Sequence, residues 1–306
     1  MQIFIFSPNA KSLFNDDQKN LLTSLGEVYY YDRIPEVSSI VELKSIEEKV
    51  IALDPDACDW KTPNEELSII SNLKAVCLQT TSFSWIDSAL FAAKGIPVTN
   101  LRGFSSVAVA EWAIMNALML ARKIPVVIKE GWQEDFVRYQ GVELRGKVAG
   151  IVGLGNIGTK IAEYCLGLGM EVLYWSRNSR DERFDYNELE SLMKNADFVF
   201  PVVAQNKNTE GLLSDELLKA MKNSAVFVSM IHHVYNHDLL VDMISKGELF
   251  GYAFEEGAES FDKYKGNILA TPSLAWATDG SMKRNAEQWI ECIVKAVKGE
   301  FGNRVN

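Results

Sequence analysis

The sequence predicts an α/β protein: one doubly wound parallel sheet with helices on both faces, accompanied by a second, smaller α/β domain. Three observations predict it. Strand-like and helical runs alternate from about residue 99 to 272. Within them, Lys147–Arg177 reads strand, glycine turn, helix, strand without a break. A shorter alternation of the same kind fills residues 1 to 98.

Taken in order, Ile3–Phe6 is a first strand, a helix runs through Leu21, Leu22 and Leu25, and Val28–Tyr31 is the next strand. Val50–Leu53 and Ala75–Leu78 follow as short apolar runs, the second leading into Gln79–Asp87. Nothing in this part marks a metal site or a nucleophile. The run 106–122 carries Val109, Trp112, Ala113, Asn116, Ala117 and Leu120 on one side and is apolar nearly all round, which predicts a helix buried between two bodies. A polar, glycine-containing loop spans Glu130–Gly141.

Val148–Gly153 is an apolar run without helical spacing, as expected of a strand buried on both faces. Gly153, Gly155 and Gly158 then spell G-x-G-x-x-G. Ile161, Cys165 and Leu168 recur at i, i+4, i+7, the buried face of a helix that Gly169 ends at C′, and Val172–Trp175 is the next strand. A bare glycine pattern is a weak signal, but this order makes it a dinucleotide-binding turn of the Rossmann kind. Gly153 allows the tight turn, Gly155 the close approach of a pyrophosphate, and Gly158 the packing of helix on strand, while free N–H groups from about Asn156 onward face the phosphates. An enzyme selective for NAD usually has Asp or Glu about 20 residues further on. Here that place holds Ser176 followed by Arg177, with Arg180 nearby. A hydroxyl and a guanidinium suit a 2′-phosphate, so NADP(H) is the expected cofactor and NAD(H) the alternative.

Beyond Arg177 the strand runs are Phe198–Phe200, Ala225–Val228, Gly251–Phe254 and Ile268–Ala270. Helical segments intervene near Leu189–Met193, Asp215–Met221 and Asp238–Ile244, the last with Asn236 or Asp238 as its cap. Ser281–Lys298 is an amphipathic helix that has to pack back on earlier structure.

The chain of 306 residues is 47% hydrophobic and 24% charged, enough for two domains with large cores. Its formal charge of -10 argues against a nucleic-acid partner, which calls for a basic stripe. Cys58, Cys77, Cys165 and Cys292 are scattered, with no C-x-x-C and no Cys/His cluster, so neither a structural zinc site nor a redox pair is expected, and reduced thiols in a cytoplasm are the simple reading. The N-terminal run is too short and uncharged for a signal peptide, and no run reaches the length of a membrane span.

Many short matches in the right order make the chain similar, nearly end to end, to the D-isomer-specific 2-hydroxy acid dehydrogenases, the group of the phosphoglycerate, glyoxylate/hydroxypyruvate and formate dehydrogenases. Leu73–Val76 resembles the strand entering the substrate loop, and Gly95-Ile-Pro-Val-Thr-Asn100 the "gIpVtN" crossing. Val109-Ala-Glu111 resembles the "VAE" helix, and Glu143-Leu-Arg-Gly-Lys147 the "eLrGK" lead into the glycine motif. Thr209–Leu212, Met221-Lys222, Gly247 and Asn303–Asn306 keep step. The resemblance implies a flavodoxin-like outer substrate domain (1–98 plus 273–306), with an inner Rossmann cofactor domain (99–272) inserted into it, a cleft for a small 2-keto or 2-hydroxy acid, and a homodimer. It also implies hydride transfer, with an arginine holding the substrate, a histidine moving the proton and a glutamate supporting that histidine.

On the cofactor side the resemblance carries over to Gly153, Gly155, Asn156, Ile157 and Gly158 at the diphosphate. It assigns Val203, Ala204 and Thr209 to the segment under the adenosine, with Ala204 in place of a proline. Met230 and Ile231 fall at the nicotinamide ribose, and Glu255 where an aspartate accepts from the carboxamide. The substrate-carboxylate loop, usually Val-Gly, falls on Thr81-Ser82, whose amides still suffice.

The catalytic side departs from the pattern. "NtaRG" reads Ser229-Met-Ile-His-His233, so the arginine position holds His232 counted from the strand, or Ile231 counted back from Gly247. The family's Pro-His is Pro272-Ser273, and its acid falls at Glu259 or Ser260. The three histidines, His232, His233 and His237, cluster in the altered loop, and His232 is the candidate replacement acid. Trp85, Arg102, Trp112 and Trp276 are candidate cleft residues, Arg102 as the carboxylate partner. Two readings stand: an NAD(P)-dependent oxidoreductase acting on a small carbonyl or hydroxy acid with altered acid/base groups, or a non-catalytic NAD(P)H-binding sensor resembling a corepressor.

Overall fold

A computed structural model describes residues 1–8, 10–256 and 261–306, with the backbone alone at Ala10. The chain divides into two compact units, Met1–Phe104 with Asp279–Asn306, and Ser105–Thr278. The divisions fall at 104/105 and 278/279 instead of the expected 98/99 and 272/273. The first shift has a plain cause: Val98 and Thr99 are still a strand of the first sheet.

The first unit holds β1 (Gln2–Phe6), β2 (Glu27–Tyr31), β3 (Lys49–Leu53), β4 (Leu73–Leu78) and β5 (Val98–Thr99) in the order β2-β1-β3-β4-β5. All four pairings are parallel, and this is the flavodoxin-like 2-1-3-4-5 order. Its helices are α1 (Ala10–Leu13), α2 (Asp16–Leu25), α3 (Asn64–Ser68), α4 (Ser88–Ala93) and the C-terminal α11 (Asp279–Lys298). Side chains alternate between two cores: Phe4, Phe6, Ile51, Leu53, Val76 and Leu78 enter one, and Ile3, Ile5, Val50, Ala52, Ala75 and Cys77 the other. The second core is closed by Trp289, Ile290 and Ile293 of α11, so the amphipathic tail packs back as its pattern requires. Each such buried side chain stabilises the unit by about 1.5–3 kcal/mol.

The second unit opens with α5 (Ser106–Ala121) and α6 (Ile124–Lys129). Then come β6 (Val148–Val152), α7 (Asn156–Gly167), β7 (Glu171–Trp175), β8 (Asp185–Tyr186), α8 (Leu189–Asn195), β9 (Phe198–Pro201) and α9 (Asp215–Lys219). The unit closes with β10 (Val226–Val228), α10 (His237–Lys246), β11 (Gly251–Glu255) and β12 (Ile268–Thr271). The sheet order β12-β11-β10-β9-β6-β7-β8 is parallel throughout and reverses direction between β6 and β9. Period-two alternation fills both faces, with Phe198, Phe200, Val226 and Val228 in one core and Val199 and Phe227 in the other.

Two expectations are corrected. Leu168 does not share the buried face of Ile161 and Cys165: it is the C-cap of α7, past the last full turn, and is exposed. The α5 helix buries Ala110, Ala113, Ala117 and Leu120 but leaves Met115 38% and Leu118 40% exposed. It therefore has an open apolar side, where a helix apolar all round was expected to be covered on both.

Candidate active site

The switch point of the second sheet, between the carboxyl ends of β6 and β9, is where an open α/β sheet forms a binding crevice. Gly153, at φ +110°, starts the turn there. A Cβ on it would lie 2.9 Å from the Val203 side chain, so the turn after β6 is backed by the loop after β9. Gly155 has φ -95° and open space before it, and as the N-cap of α7 it offers no side chain to the first-turn amides. Those N–H groups are left for an outside acceptor, which a diphosphate supplies. A Cβ on Gly158 would strike the Gly153 carbonyl and lie 3.1 Å from Val202. The three glycines thus meet the turn, approach and packing requirements, and the residues present fit a bound dinucleotide.

At the end of β7, Ser176 is buried and its hydroxyl accepts from the Ser179 amide at 3.2 Å. The exposed Arg177 donates through Nη2 to the Asn208 carbonyl at 3.1 Å. Arg180 is committed elsewhere: it donates to the Ser176 carbonyl at 2.8 Å, and its guanidinium lies 4.1 Å from the Tyr186 ring centre. Arg183 engages the nearby carboxylates of Asp181 and Glu163.

Thr209 fastens the loop after β9, its hydroxyl donating to the Ala204 carbonyl at 2.7 Å and accepting from the Asn206 amide at 3.0 Å. The neighbouring Gln205, which no sequence pattern singled out, accepts from the His232 amide at 3.1 Å and ties this loop to the one after β10. In that second loop the Ser229 hydroxyl donates to the Ile231 carbonyl and accepts the Ile231 amide, at 3.0 and 3.2 Å. His233 has φ +62°, a left-handed conformation that glycine adopts most readily. It stands at the glycine of "NtaRG" in the count that gives the arginine position to His232. Asn236 is the cap of α10, accepting from the Leu239 amide.

Burial holds His232 below the ordinary histidine range, as does the neighbouring His233, against the pull of Glu256. His237 is lowered by burial in the same way. Its ring is the hub of a network absent from the sequence reading: Nδ1 lies 2.9 Å from the Tyr252 hydroxyl and Nε2 3.4 Å from that of Tyr264. Tyr252 donates on to Tyr235 at 3.0 Å, and Tyr264 to Glu256 at 3.2 Å, with Lys263 2.9 Å from the same carboxylate oxygen. Glu255 has its carboxyl raised by burial, while one oxygen accepts from the Ala275 amide at 3.1 Å. Ser273 is exposed on the segment after β12. Glu259 lies outside the described residues, as does Ser260.

In the first unit, Thr81 and Ser82 form an exposed loop after β4. Their carbonyls are held by Asn100 at 2.6 Å and by the Trp85 indole at 2.9 Å, which makes Trp85 a packing residue of the loop. Arg102 is exposed. Among the described residues, no group of three or more His, Cys, Asp or Glu gathers as metal ligands, and no helix is long and apolar enough to cross a membrane.

A sheet of this order with a glycine turn at its switch point and an open helix N-terminus defines a dinucleotide-binding α/β protein. Comparison with known proteins narrows the class. Residues 114–261 match the NAD-binding domain of the D-isomer specific 2-hydroxyacid dehydrogenases. The chain is 30% identical over 266 residues to a Staphylococcus aureus (strain MRSA252) protein assigned to the 2-hydroxyacid dehydrogenases, covering 81% of this chain and 80% of the other. It is 29% identical over 262 residues to the glyoxylate reductase of Thermococcus litoralis, covering 79% of each. Among solved structures, an acyclic imino acid reductase in complex with NADPH and D-Arg superposes with a TM-score of 0.82 at 22% identity, covering 100% of both chains. D-2-hydroxyisocaproate dehydrogenase does so at 0.80 and 17%, covering 100% of this chain and 99% of the other. The chain belongs to the D-isomer-specific 2-hydroxyacid dehydrogenase family, oxidoreductases that use a nicotinamide cofactor and act on small hydroxy or keto acids. Nothing in these relatives favours the sensor alternative.

Proposed function

We propose that this chain is an NADP(H)-preferring reductase or dehydrogenase of a small 2-keto or 2-hydroxy acid, or a related carbonyl compound, with acid/base groups of its own. The observation that carries the reading is the coexistence of an uncapped, glycine-lined α7 N-terminus with a neighbouring loop that offers imidazole where the family has guanidinium. Gly153, Gly155, Asn156, Ile157 and Gly158 hold the diphosphate through backbone amides. Ser176 and Arg177 receive the 2′-phosphate, and Val203, Ala204 and Thr209 line the adenosine. Met230 and Ile231 meet the nicotinamide ribose through their backbone. Glu255 accepts from the carboxamide with the oxygen that Ala275 leaves free. When bound, the nicotinamide supplies or takes the hydride.

His232 moves the proton, its loop held by Gln205. Ser273 and Glu259 occupy the remaining acid/base positions of the family pattern. The amides of Thr81 and Ser82, with Arg102, are the carboxylate contacts on the first unit. Because burial lowers His232, its ring is neutral at neutral pH and suits the base required for alcohol oxidation. In the reducing direction the imidazolium is needed, so the rate rises as pH falls through a value below the ordinary histidine pKa of about 6.5.

We also infer a homodimer. A groove of about 720 Å³ beside α5 and α6 is lined by Leu118, Met119, Ile124, Val127, Phe136 and Tyr139, and Phe136 is 89% exposed. Apolar surface of this kind marks a contact face. The four free cysteines suit a cytoplasmic setting, and the net charge of -10 disfavours a nucleic-acid partner.

The test is NADPH oxidation with glyoxylate, hydroxypyruvate, pyruvate and neutral aldehydes, repeated across pH for the wild type and His232→Gln. Turnover on one of them is expected, lowered about 10²–10⁴-fold in the variant together with loss of the acid-side rise. Tight NADPH binding without turnover on any member would overturn the reading.

A further inference from the structure

Two of the four free cysteines stand together in the first unit. Cys77 is on β4 and fully buried, and Cys292 is on α11 and partly exposed. One turn of α11 brackets Cys77: the Trp289 indole donates to the Cys77 carbonyl at 3.0 Å, and the Cys77 thiol lies 3.7 Å from the Cys292 carbonyl. Thr99, paired with Cys77 on the adjacent strand β5, places its hydroxyl 2.9 Å from Cys292 Sγ.

The chemistry around the pair is uneven in a useful direction. The neighbouring Cys77 holds the Cys292 thiol below its ordinary value against the push of burial, with help from Thr99 and Lys295, while the neighbouring Cys292 and burial push Cys77 up. Cys292, the partly exposed member of the pair, is the nucleophile reached from solvent, and the fully buried Cys77 is the protected thiol behind it. The other two cysteines lack these features. Burial pushes Cys165 up to about 12, and the Cys58 thiol is raised by burial and occupied by the Pro55 carbonyl at 3.3 Å.

We propose that Cys77 and Cys292 are a redox-active dithiol that closes to a disulfide with a hydroperoxide as oxidant, tying α11 to β4 of the first sheet. The Cys292 thiolate attacks the terminal peroxide oxygen; the O–O bond breaks, the alcohol or water leaves, and the sulfur becomes a sulfenic acid. The Cys77 sulfur then attacks that sulfur; the S–S bond forms, the S–O bond breaks, and hydroxide leaves as water with the Cys77 proton. In sum, two thiols and one hydroperoxide give one disulfide, one alcohol (water when the oxidant is hydrogen peroxide) and one further water. A dithiol reductant reverses the oxidation.

The experiment is treatment of the intact protein with hydrogen peroxide, alkylation of remaining thiols, and peptide mass mapping without reduction, beside dithiothreitol-treated protein and Cys77→Ala. The expected result is a cross-link within one chain between the Cys77 and Cys292 peptides, lighter by two hydrogens. Cys58 and Cys165 stay alkylatable, and dithiothreitol removes the cross-link. In Cys77→Ala the cross-link is absent and Cys292 collects oxygen. The wild-type map decides the matter even if that variant does not fold. Two intact thiols after peroxide, oxygen added to Cys292 while Cys77 stays alkylatable, or a cross-link between chains would each overturn the proposal.

Discussion

Arg177 is the residue to which the proposed function gives the choice of nucleotide. Its guanidinium is exposed and has one anchor, the Asn208 carbonyl, whereas Arg180 is stacked on Tyr186 and turned back on Ser176. Hydrogen bonds to a charged group contribute about 1.5–3 kcal/mol. Arg177→Ala is therefore expected to weaken NADPH binding roughly 10- to 100-fold and to leave NADH binding unchanged, as fluorescence titration of both cofactors will read. Equal losses for the two would mean that Arg177 only holds the loop. At this scale the sequence offers candidates wherever a residue type itself can carry the chemistry, as at Ser176 and Arg177. It places Arg180 nearby but cannot show that this residue is engaged elsewhere, because that depends on Tyr186, a residue of the next strand.

Among the elements, the turn joining β6 to α7 was legible because its determinants are local: three glycines, an apolar strand and a helical repeat within thirty-one residues. Its packing is also the most demanding. Gly158→Ala places a methyl against the Gly153 carbonyl and Val202, and is expected to cost about 1–3 kcal/mol in urea unfolding. A variant as stable as the wild type would contradict that packing.

Elements fixed by distant partners escaped the sequence reading. The two-residue β8 exists because it pairs with β7, and the short helices α3 and α4 carry too few residues for a period. The Tyr252–His237–Tyr264–Glu256 network joins residues 8 to 27 positions apart, so no spacing signals it. The histidine cluster in the loop after β10 was visible, but the Gln205 contact that steadies it was not.

For the molecule as a whole, each sheet is buried on both faces and its apolar runs announce this, so the α/β class followed from the sequence. The open side of α5 did not, because a helix apolar all round reads alike whether its own chain or a second copy covers it. Leu118→Asp with Phe136→Asp, on exposed positions around one groove, is expected to convert a dimer to a monomer in sedimentation while the far-UV spectrum is kept. A wild type that sediments as a monomer at every concentration would remove the dimer.

The most direct test of the dinucleotide turn is calorimetric titration of NADPH into the wild type and Gly155→Ala. Gly155 has an ordinary backbone conformation and nothing within 4 Å of the added methyl, so the variant should melt with the wild type. The methyl would occupy the space where the diphosphate approaches the amides, and a loss of one or two charge-assisted hydrogen bonds predicts binding weaker by about 10-fold or more. Unchanged affinity in Gly155→Ala, or no NADPH binding by the wild type, would contradict the account.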